Sequence, residues 1–204
     1  MQINVVYNEK STGRTCFEVE KYFNFQGDEC YTAYGCGKKS DSEYAYKFES
    51  GFGYFFHNVL SRLTGLEGYF SYFGTKRLIR YIKKVKPNII HLRNLHGHYL
   101  NIPLLFRYLG KTQTPVVISL HDCWIFTGKC TYPTRTGCDK WQNICNRCPA
   151  KREYPDSCIF DFSKKMFSDK KKLIETREGY IPFELVKDIN LDNKRILIEE
   201  VEGL

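Results

Sequence analysis

The chain has 204 residues, of which 42% are hydrophobic and 16% aromatic, and its formal net charge is +8. This composition predicts one globular domain with a real core and excludes a disordered chain. No apolar run reaches the length of a membrane span. The N-terminus lacks the pattern of a secretory signal, so we expect a cytoplasmic protein with reduced cysteines. The odd number of nine cysteines argues against a closed disulfide framework.

The charge is unevenly distributed along the chain. Residues 176–204 carry four Lys/Arg and seven Asp/Glu, whereas residues 1–175 carry a net charge of +11. A basic face of this kind can attract nucleic acid, an anionic membrane or a phosphorylated substrate. An ordinary solvated face fits the same composition equally well.

Apolar runs and helical periodicity predict alternating strands and helices. The predicted strands cover residues 2–7, 30–35, 88–92 and 115–120, and the predicted helices cover 13–27, 75–87, 101–110 and 163–175. Residues 36–74 are rich in Gly and aromatic residues, and their pattern indicates only one helix, near 52–63. The alternation predicts an α/β fold, a single Rossmann-like domain with a parallel sheet.

Four polar stretches directly follow the four predicted strands. They read "NEKSTGR", "GCGKKS", "RNLHGHY" and "HDCW". Ligands of open parallel sheets bind beyond the carboxyl ends of the strands. We therefore expect the four stretches to share one rim and to form a binding cleft.

The first stretch contains "STGR", residues 11–14. Ser11 or Thr12 is expected to cap a helix, and Gly13 would let the backbone approach a ligand closely. The free amides of the new helix favour a phosphate or a sugar oxygen, and Arg14 adds charged donors. A plain capped turn explains the same residues.

The third and fourth stretches contain the candidate polar groups of the cleft. Asn94, His96 and Tyr99 can hydrogen-bond hydroxyls. His121 and Asp122 end the last strand, where a histidine can exchange a proton with a substrate hydroxyl near neutral pH. A zinc site on the histidines of "RNLHGHY" is disfavoured, because no carboxylate lies nearby in the sequence.

Residues 123–158 form a cysteine-rich excursion from the sheet. Cys130, Cys138, Cys145 and Cys148 follow the pattern C-x7-C-x6-C-x2-C, and the final C-x2-C has the spacing of a zinc half-site. A zinc ion held by four cysteines would be structural, since it leaves no open coordination position. One or two disulfides, or free buried thiols, are the alternatives.

Four segments in combination resemble a known enzyme family. "QINVVYNEKSTGR", "HLRNLHGHYLNIPLL", "PVVISLHDCWIFTGKC" and "GCDKWQNICNRCP" resemble the N-terminal half of bacterial family-four retaining glycosyltransferases of the GT-B fold. The resemblance covers residues 1–175 and implies the acceptor-side domain of an enzyme of surface-polysaccharide (capsule) synthesis. It implies a UDP- or GDP-sugar donor, a saccharide or lipid-linked acceptor, and no cofactor for catalysis.

The resemblance also implies roles for individual residues. His121 would contact the transferred sugar, and Ser11, Thr12 and Gly13 would lie near the donor phosphates. The acceptor side would be lined by Asn94, His96 and Tyr99. The basic helices would contact an anionic inner membrane.

The acidic segment 176–204 departs from the family pattern. Glu178 and Glu184 lack the seven-residue spacing of the family's donor-binding glutamates, although "RILIEEV" (195–201) has the character of a strand. We therefore expect the donor domain to be missing, so that the chain is either a truncated enzyme, a non-catalytic remnant or one partner of a separate donor-domain chain. A zinc-stabilised nucleic-acid binder is a minor alternative. The aromatic residues do not interleave with basic ones as in known modules, so no nucleic acid is expected.

Overall fold

The computed structural model describes residues 1–175 together with 181–182, 186–190 and 195–198. Its main sheet has the strand order β3-β2-β1-β4-β5-β6, and every neighbouring pair is parallel. The strands are β1 (Gln2–Asn4), β2 (Thr32–Tyr34), β3 (Ala45–Lys47), β4 (Ile90–Leu92), β5 (Val116–Ile118) and β6 (Ile181–Pro182). A separate antiparallel pair is formed by β7 (Val186–Asn190) and β8 (Arg195–Ile198).

Five α-helices connect and cover the strands. They are α1 (Lys10–Phe25), α2 (Gly51–Thr64), α3 (Tyr72–Val85), α4 (Ile102–Leu109) and α5 (Ser163–Glu175). The Asn101 side chain starts α4 by accepting a hydrogen bond from the Leu104 amide, and Pro103 fits the first turn, where no amide partner is needed. Ser50 caps α2 in the same way, by accepting from the Gly53 amide. None of the described helices is long and apolar enough to cross a membrane.

The core lies between the sheet and its helices. Ile3, Ile90, Leu92, Leu78 and Leu105 are all below 3% exposed, and Trp124 joins this cluster although it follows the last central strand. All three residues of β1 are buried although Gln2 and Asn4 are polar, and in β4 the buried Ile90 and Leu92 flank the half-buried His91. Burial of whole strands is expected for a parallel sheet that helices cover on both faces.

The structure confirms the α/β class and the Rossmann-like parallel sheet. Helix α1 begins at Lys10, with Glu9 in the capping position and no side-chain cap, so the prediction that Ser11 or Thr12 caps it is wrong. Residues 36–74 also hold strand β3 and the start of α3, which the sequence pattern did not reveal. Strand β8 covers the first part of the strand predicted at 195–201, and the remainder of the predicted acidic tail lies largely outside the described residues.

The cysteine-rich excursion has little regular structure. Residues 123–158 contain two short 3-10 helices, Pro133–Thr136 and Lys140–Gln142, and otherwise turns. The excursion returns against the end of α2, where the Cys158 amide donates to the Arg62 carbonyl at 2.6 Å. It therefore packs on the same side of the domain as α2 and leads directly into α5.

Candidate functional site

The loops that follow β1, β2, β4 and β5 meet at one edge of the sheet. The Cys36 amide donates to the Val5 carbonyl at 2.7 Å, which joins the first two loops. The Asn94 amide donates to the Asn4 side-chain oxygen at 3.3 Å, which joins the third loop to β1. The polar stretches predicted to share a rim are therefore in contact, as the common direction of parallel strands requires.

A small cavity opens between the loops after β4 and β5. Asn94, His96, His121 and Asp122 line it, together with the buried ring of Trp124. His121 is exposed, whereas His96 is 8% exposed. The cavity thus combines one accessible imidazole with a set of fixed polar groups behind it.

His96 and Asp122 form the central hydrogen bond of this cavity. His96 Nε2 lies 2.6 Å from Asp122 Oδ2, and His96 Nδ1 lies 3.1 Å from the Tyr154 hydroxyl. A consistent assignment has the ring donate from Nε2 to the carboxylate and accept from the tyrosine at Nδ1. The other carboxylate oxygen of Asp122 accepts from the Trp124 amide at 2.8 Å.

These contacts decide the charge of Asp122. Its burial works against ionisation, but the hydrogen bond from His96, the nearby His96 ring and the Trp124 amide hold the pKa of the carboxyl group below its usual value. Asp122 is therefore a carboxylate at neutral pH with both oxygens engaged. Its contacts fix the loop after β5, which carries the accessible His121.

Tyr154 is a partner of His96 that the sequence analysis missed. It stands 58 residues from His96 and approaches from the far end of the cysteine-rich excursion. No local pattern around "REYPD" marks it as a partner of the cleft. Only the packing of the excursion against the sheet brings the two residues together.

A second missed residue, Glu67, holds the loop after β4 from behind. Its Oε1 accepts from the amides of Gly97 and His98 at 2.9 and 2.7 Å, and its Oε2 accepts from Ser61 at 2.8 Å. His98 Nδ1 lies 2.5 Å from the same Oε2. Burial alone would raise the pKa of Glu67, but the neighbouring His57 ring and the hydrogen bonds from His98 hold it well below its usual range.

Glu67, His57 and His98 also form a compact group of three metal-ligand types. Their ligand atoms all lie within 4.8 Å of one another. However, the Gly68 amide donates to His57 Nε2 at 3.2 Å, and Ser71 Oγ lies 2.7 Å from His57 Nδ1. Because protein groups already engage these atoms, the group is explained as a hydrogen-bonded support for the loop after β4.

The "STGR" residues lie inside the first turns of α1. Ser11 and Arg14 are exposed, and Thr12 Oγ1 accepts from the Asn4 side chain at 3.3 Å. Gly13 is buried, and a Cβ atom there would lie 3.1 Å from the Val6 carbonyl oxygen. The close approach that this glycine permits is therefore between α1 and the loop after β1. These residues border the rim but do not line the small cavity.

Tyr99 has a different position from the other predicted acceptor-side residues. Its side chain is 0% exposed and packs against Phe48 in the core, with ring centroids 5.7 Å apart. Its hydroxyl donates to the Asn94 carbonyl at 2.5 Å. The structure thus places Tyr99 behind the rim, where it supports the loop that carries Asn94.

The four predicted metal-ligating cysteines come together within the excursion. Cys130, Cys138, Cys145 and Cys148 line one small cavity, and none of them is in a disulfide. Cys130 and Cys145 are buried, and the neighbouring Cys148 thiol lowers the pKa of Cys130. Two buried lysines, Lys129 and Lys170, stand beside this cavity.

Comparison with known proteins gives one partial match. No family model matches the chain, and no solved structure does. The chain is similar to the Escherichia coli K12 protein named "Putative colanic acid biosynthesis glycosyl transferase WcaC", with 30% identity over 92 residues. The match covers 43% of this chain but only 22% of the relative's length. A glycosyltransferase-like relationship is therefore present in part of a Rossmann-like domain.

Proposed function

We propose that this chain supplies the acceptor-side domain of a retaining GT-B glycosyltransferase that takes part in surface-polysaccharide synthesis. The observation that carries the proposal is the rim cavity, where an exposed histidine stands beside a fixed Asn94, His96 and Asp122 at the carboxyl ends of β4 and β5. The partial likeness to a relative named for colanic acid biosynthesis supports the same class of reaction.

The proposed reaction transfers a sugar from a UDP- or GDP-sugar to a hydroxyl group. The bond between the sugar's anomeric carbon and the diphosphate breaks, the acceptor oxygen bonds to that carbon, and the acceptor's proton leaves with the nucleoside diphosphate. His121 contacts the transferred sugar and Asn94 binds the acceptor, whereas His96, whose ring nitrogens face Asp122 and Tyr154, supports the loops of the site. Ser11 and Arg14, exposed at the start of α1, lie near the donor phosphates, where a helix N-terminus favours negative charge.

Asp122 acts in this proposal as a positioning residue. Both of its oxygens are engaged by protein groups, so it orients His96 and the loop rather than the substrate. Because His121 is the preceding residue, the contacts of Asp122 also fix the backbone position of His121. Such fixed geometry contributes to catalysis when a reacting group must be held close to its partner.

The acceptor in this proposal is attached to an anionic membrane lipid. Helix α2 exposes Phe52, Phe55, Phe56, Val59 and Leu63, the aromatic rings being 53–76% exposed. Helices α2 and α3 together contain six Lys/Arg and no acidic residue. An amphipathic helix with exposed aromatic residues and neighbouring positive charge suits the surface of an anionic bilayer.

A second candidate function is a partner module that depends on a separate donor-domain chain. The observation that favours it is that the similarity to the glycosyltransferase relative covers only 22% of that protein's length. In that case the chain would bind acceptor and membrane but not the nucleotide-sugar.

Calorimetric titration with UDP- and GDP-sugars distinguishes the two candidates. Micromolar donor binding, followed by sugar transfer to a lipid-linked acceptor, is the result expected for an enzyme. H121A should then lower kcat by about 100-fold, because a group acting on the reacting sugar is worth about this much. Its melting temperature, measured on the same sample, separates loss of activity from loss of fold. The exposed and remote K164A serves as the control.

Absence of donor binding by a well-folded chain would favour the partner module. Activity should then appear only when a second polypeptide supplies the donor site. Full activity of H121A would contradict the role given to this histidine.

A further inference from the structure

The cysteine cavity of the excursion has features that sugar transfer does not explain. The four cysteines lie in irregular segments of the excursion, at positions Cys130, Cys138, Cys145 and Cys148. Residues 138–148 contain only one short 3-10 helix, and Ile144 within them is 41% exposed. A segment with so little apolar burial needs another source of stability.

Backbone amides lie near two of the sulfur atoms. The amide of Gly128 acts to lower the pKa of the Cys145 thiol, and the amide of Ala150 acts in the same direction on Cys148, although burial works against both. A Cβ atom at Gly128 would lie only 2.6 Å from the Cys145 Cβ, so glycine is required for this approach. Amide donors around cysteine sulfurs orient and stabilise thiolate ligands of metals.

Two lysines beside the cavity are buried without a carboxylate partner. Lys129 and Lys170 are each 2% exposed. The ammonium group of Lys170 donates to the Trp124 carbonyl and lies 4.0 Å from the centre of that indole ring, and Lys129 donates to the Pro155 carbonyl. Within the described part of the chain, neither ammonium group has a carboxylate within 4.0 Å.

For each lysine, a cysteine of this cavity is the strongest source of negative charge. Lys170 interacts electrostatically with Cys145 and Cys130 ahead of Asp122 and Glu67, and Lys129 interacts with Cys148 ahead of Asp156, Asp161 and Cys130. Burying an uncompensated ammonium group is strongly unfavourable, whereas a buried cation beside an anion is tolerated. The fold thus places two positive charges around one set of four sulfurs.

This charge pattern discriminates among the chemical states of the cysteines. Disulfides and neutral thiols carry no charge and would leave both lysines with only carboxylates that lie more than 4.0 Å away. Four thiolates around one Zn²⁺ carry a net charge of −2, which the two ammonium groups neutralise. The thiols are spread more widely than the His57 group, so an ion would draw them inward to Zn–S distances of about 2.3 Å.

We propose that Cys130, Cys138, Cys145 and Cys148 bind one structural Zn²⁺ as thiolates, and that Lys129 and Lys170 are its buried counter-charges. The four thiolates fill the tetrahedral shell, so the ion takes no part in chemistry. It clamps the excursion that carries Tyr154 to the rim cavity. The proposal does not depend on sugar transfer.

Metal analysis of the chain purified under reducing conditions tests the ligand set. One zinc per chain is expected, and replacement by Co²⁺ should give the intense visible and near-ultraviolet absorption of tetrahedral cobalt thiolate. C145S should lose the metal or its four-thiolate spectrum, whereas C158S, which alters an exposed cysteine outside the cavity, should keep both. A metal-free chain with folded structure, or disulfides among the four cysteines, would overturn the proposal.

Substitution of the lysines provides a second test, because it should change the stability of the metal-free chain and the affinity for zinc in opposite directions. K170M should stabilise the metal-free chain, because it removes a buried charge, and should lower zinc affinity about tenfold or more, because it removes a counter-charge. The exposed K164M should change neither quantity. Unaltered zinc affinity in both K170M and K129M would refute the role of the lysines.

Discussion

His57 couples the stability of the domain to pH through a single buried ring. It is 0% exposed and faces Glu67 and His98. Burial lowers the pKa of His57 to about 4, from an ordinary value of 6.5, although the charge of Glu67 works in the opposite direction. Below pH 6.5 the His57 ring binds a proton in the unfolded chain but stays neutral in the folded chain. The free energy of unfolding therefore falls as the pH drops towards 4.

We expect H57Q to flatten this pH dependence. Between pH 7 and pH 5 the wild-type histidine costs on the order of 2 kcal/mol of unfolding free energy, and H57Q removes that share. H57Q should be the less stable protein at pH 7, since it loses the contacts to Ser71 and Gly68. Urea unfolding at pH 7, 6 and 5 measures the difference.

An exposed residue that does not titrate provides the control for this experiment. F25S alters a side chain that is 87% exposed and should keep the wild-type slope. Some slope should also remain in H57Q, because burial lowers the pKa of His91 to about 3 as well. A wild-type slope in H57Q would show that the ring titrates normally in the folded chain.

The sequence predicted some residues of the rim cavity but not their neighbours. Asn94, His96, His121 and Asp122 each follow a recognisable strand, and strand ends of a parallel sheet share one edge. Glu67 and Tyr154 follow no strand and belong to segments without a clear period. Their contacts with His98 and His96 depend on long-range packing, which local sequence does not encode.

At the scale of elements, α2 has an unusual division of its surfaces. His57 and Ser61 are buried, while a wide apolar face remains exposed to solvent. Burying five such side chains in a bilayer interface would contribute several kcal/mol, since each CH₂ group is worth about 0.8 kcal/mol. This energy is sufficient for reversible attachment when positive charge assists.

Loss of aromatic side chains from α2 should therefore weaken binding to anionic vesicles. We expect the double variant F52S/F55S to bind phosphatidylglycerol-containing vesicles at least tenfold more weakly than the wild type in a sedimentation assay. Phe25 on α1 is 87% exposed, and F25S provides a matched control that should bind normally.

Two other outcomes would identify a different role for this face. Binding that is equal for the wild type and F52S/F55S would contradict the lipid contact. Concentration-dependent dimerisation that F52S/F55S abolishes would assign the face to a second copy of the chain instead.

At the scale of the whole molecule, the excursion and the sheet share one core. Trp124 is 1% exposed within the central cluster, and Lys170 of α5 donates to its carbonyl. Trp141 lies further along the excursion and packs against Phe126, with ring centroids 5.5 Å apart. The two tryptophans thus report on the core and on the excursion separately.

We expect the excursion to unfold together with the sheet in a single transition. W124F leaves Trp141 as the sole tryptophan, and it should cost about 1–3 kcal/mol through imperfect core filling. In this variant, Trp141 fluorescence and far-ultraviolet circular dichroism should give coincident urea transitions. W141F serves as the reciprocal control, since it leaves the core tryptophan in place.

Separate transitions would show that the excursion is an independent unit. Its contact between Tyr154 and His96 would then not constrain the rim cavity. If the two unfolding transitions coincide before chelation of metal and separate after it, the proposed zinc site couples the excursion to the sheet.

The sequence by itself determined the α/β class, the alternating elements and the edge of the sheet where polar side chains gather, because these follow from local periodicity and from the common direction of parallel strands. The spacing of the C-x2-C pair, Cys145 and Cys148, is also a local feature that the sequence shows directly. Only the tertiary structure decided the partners of these groups. These partners lie in segments far apart in the chain: Tyr154 contacts His96, Glu67 accepts from the Gly97 amide, Tyr99 packs in the core, and two lysines lie beside four thiols. The energy of these contacts comes from burial and hydrogen bonding in the folded state.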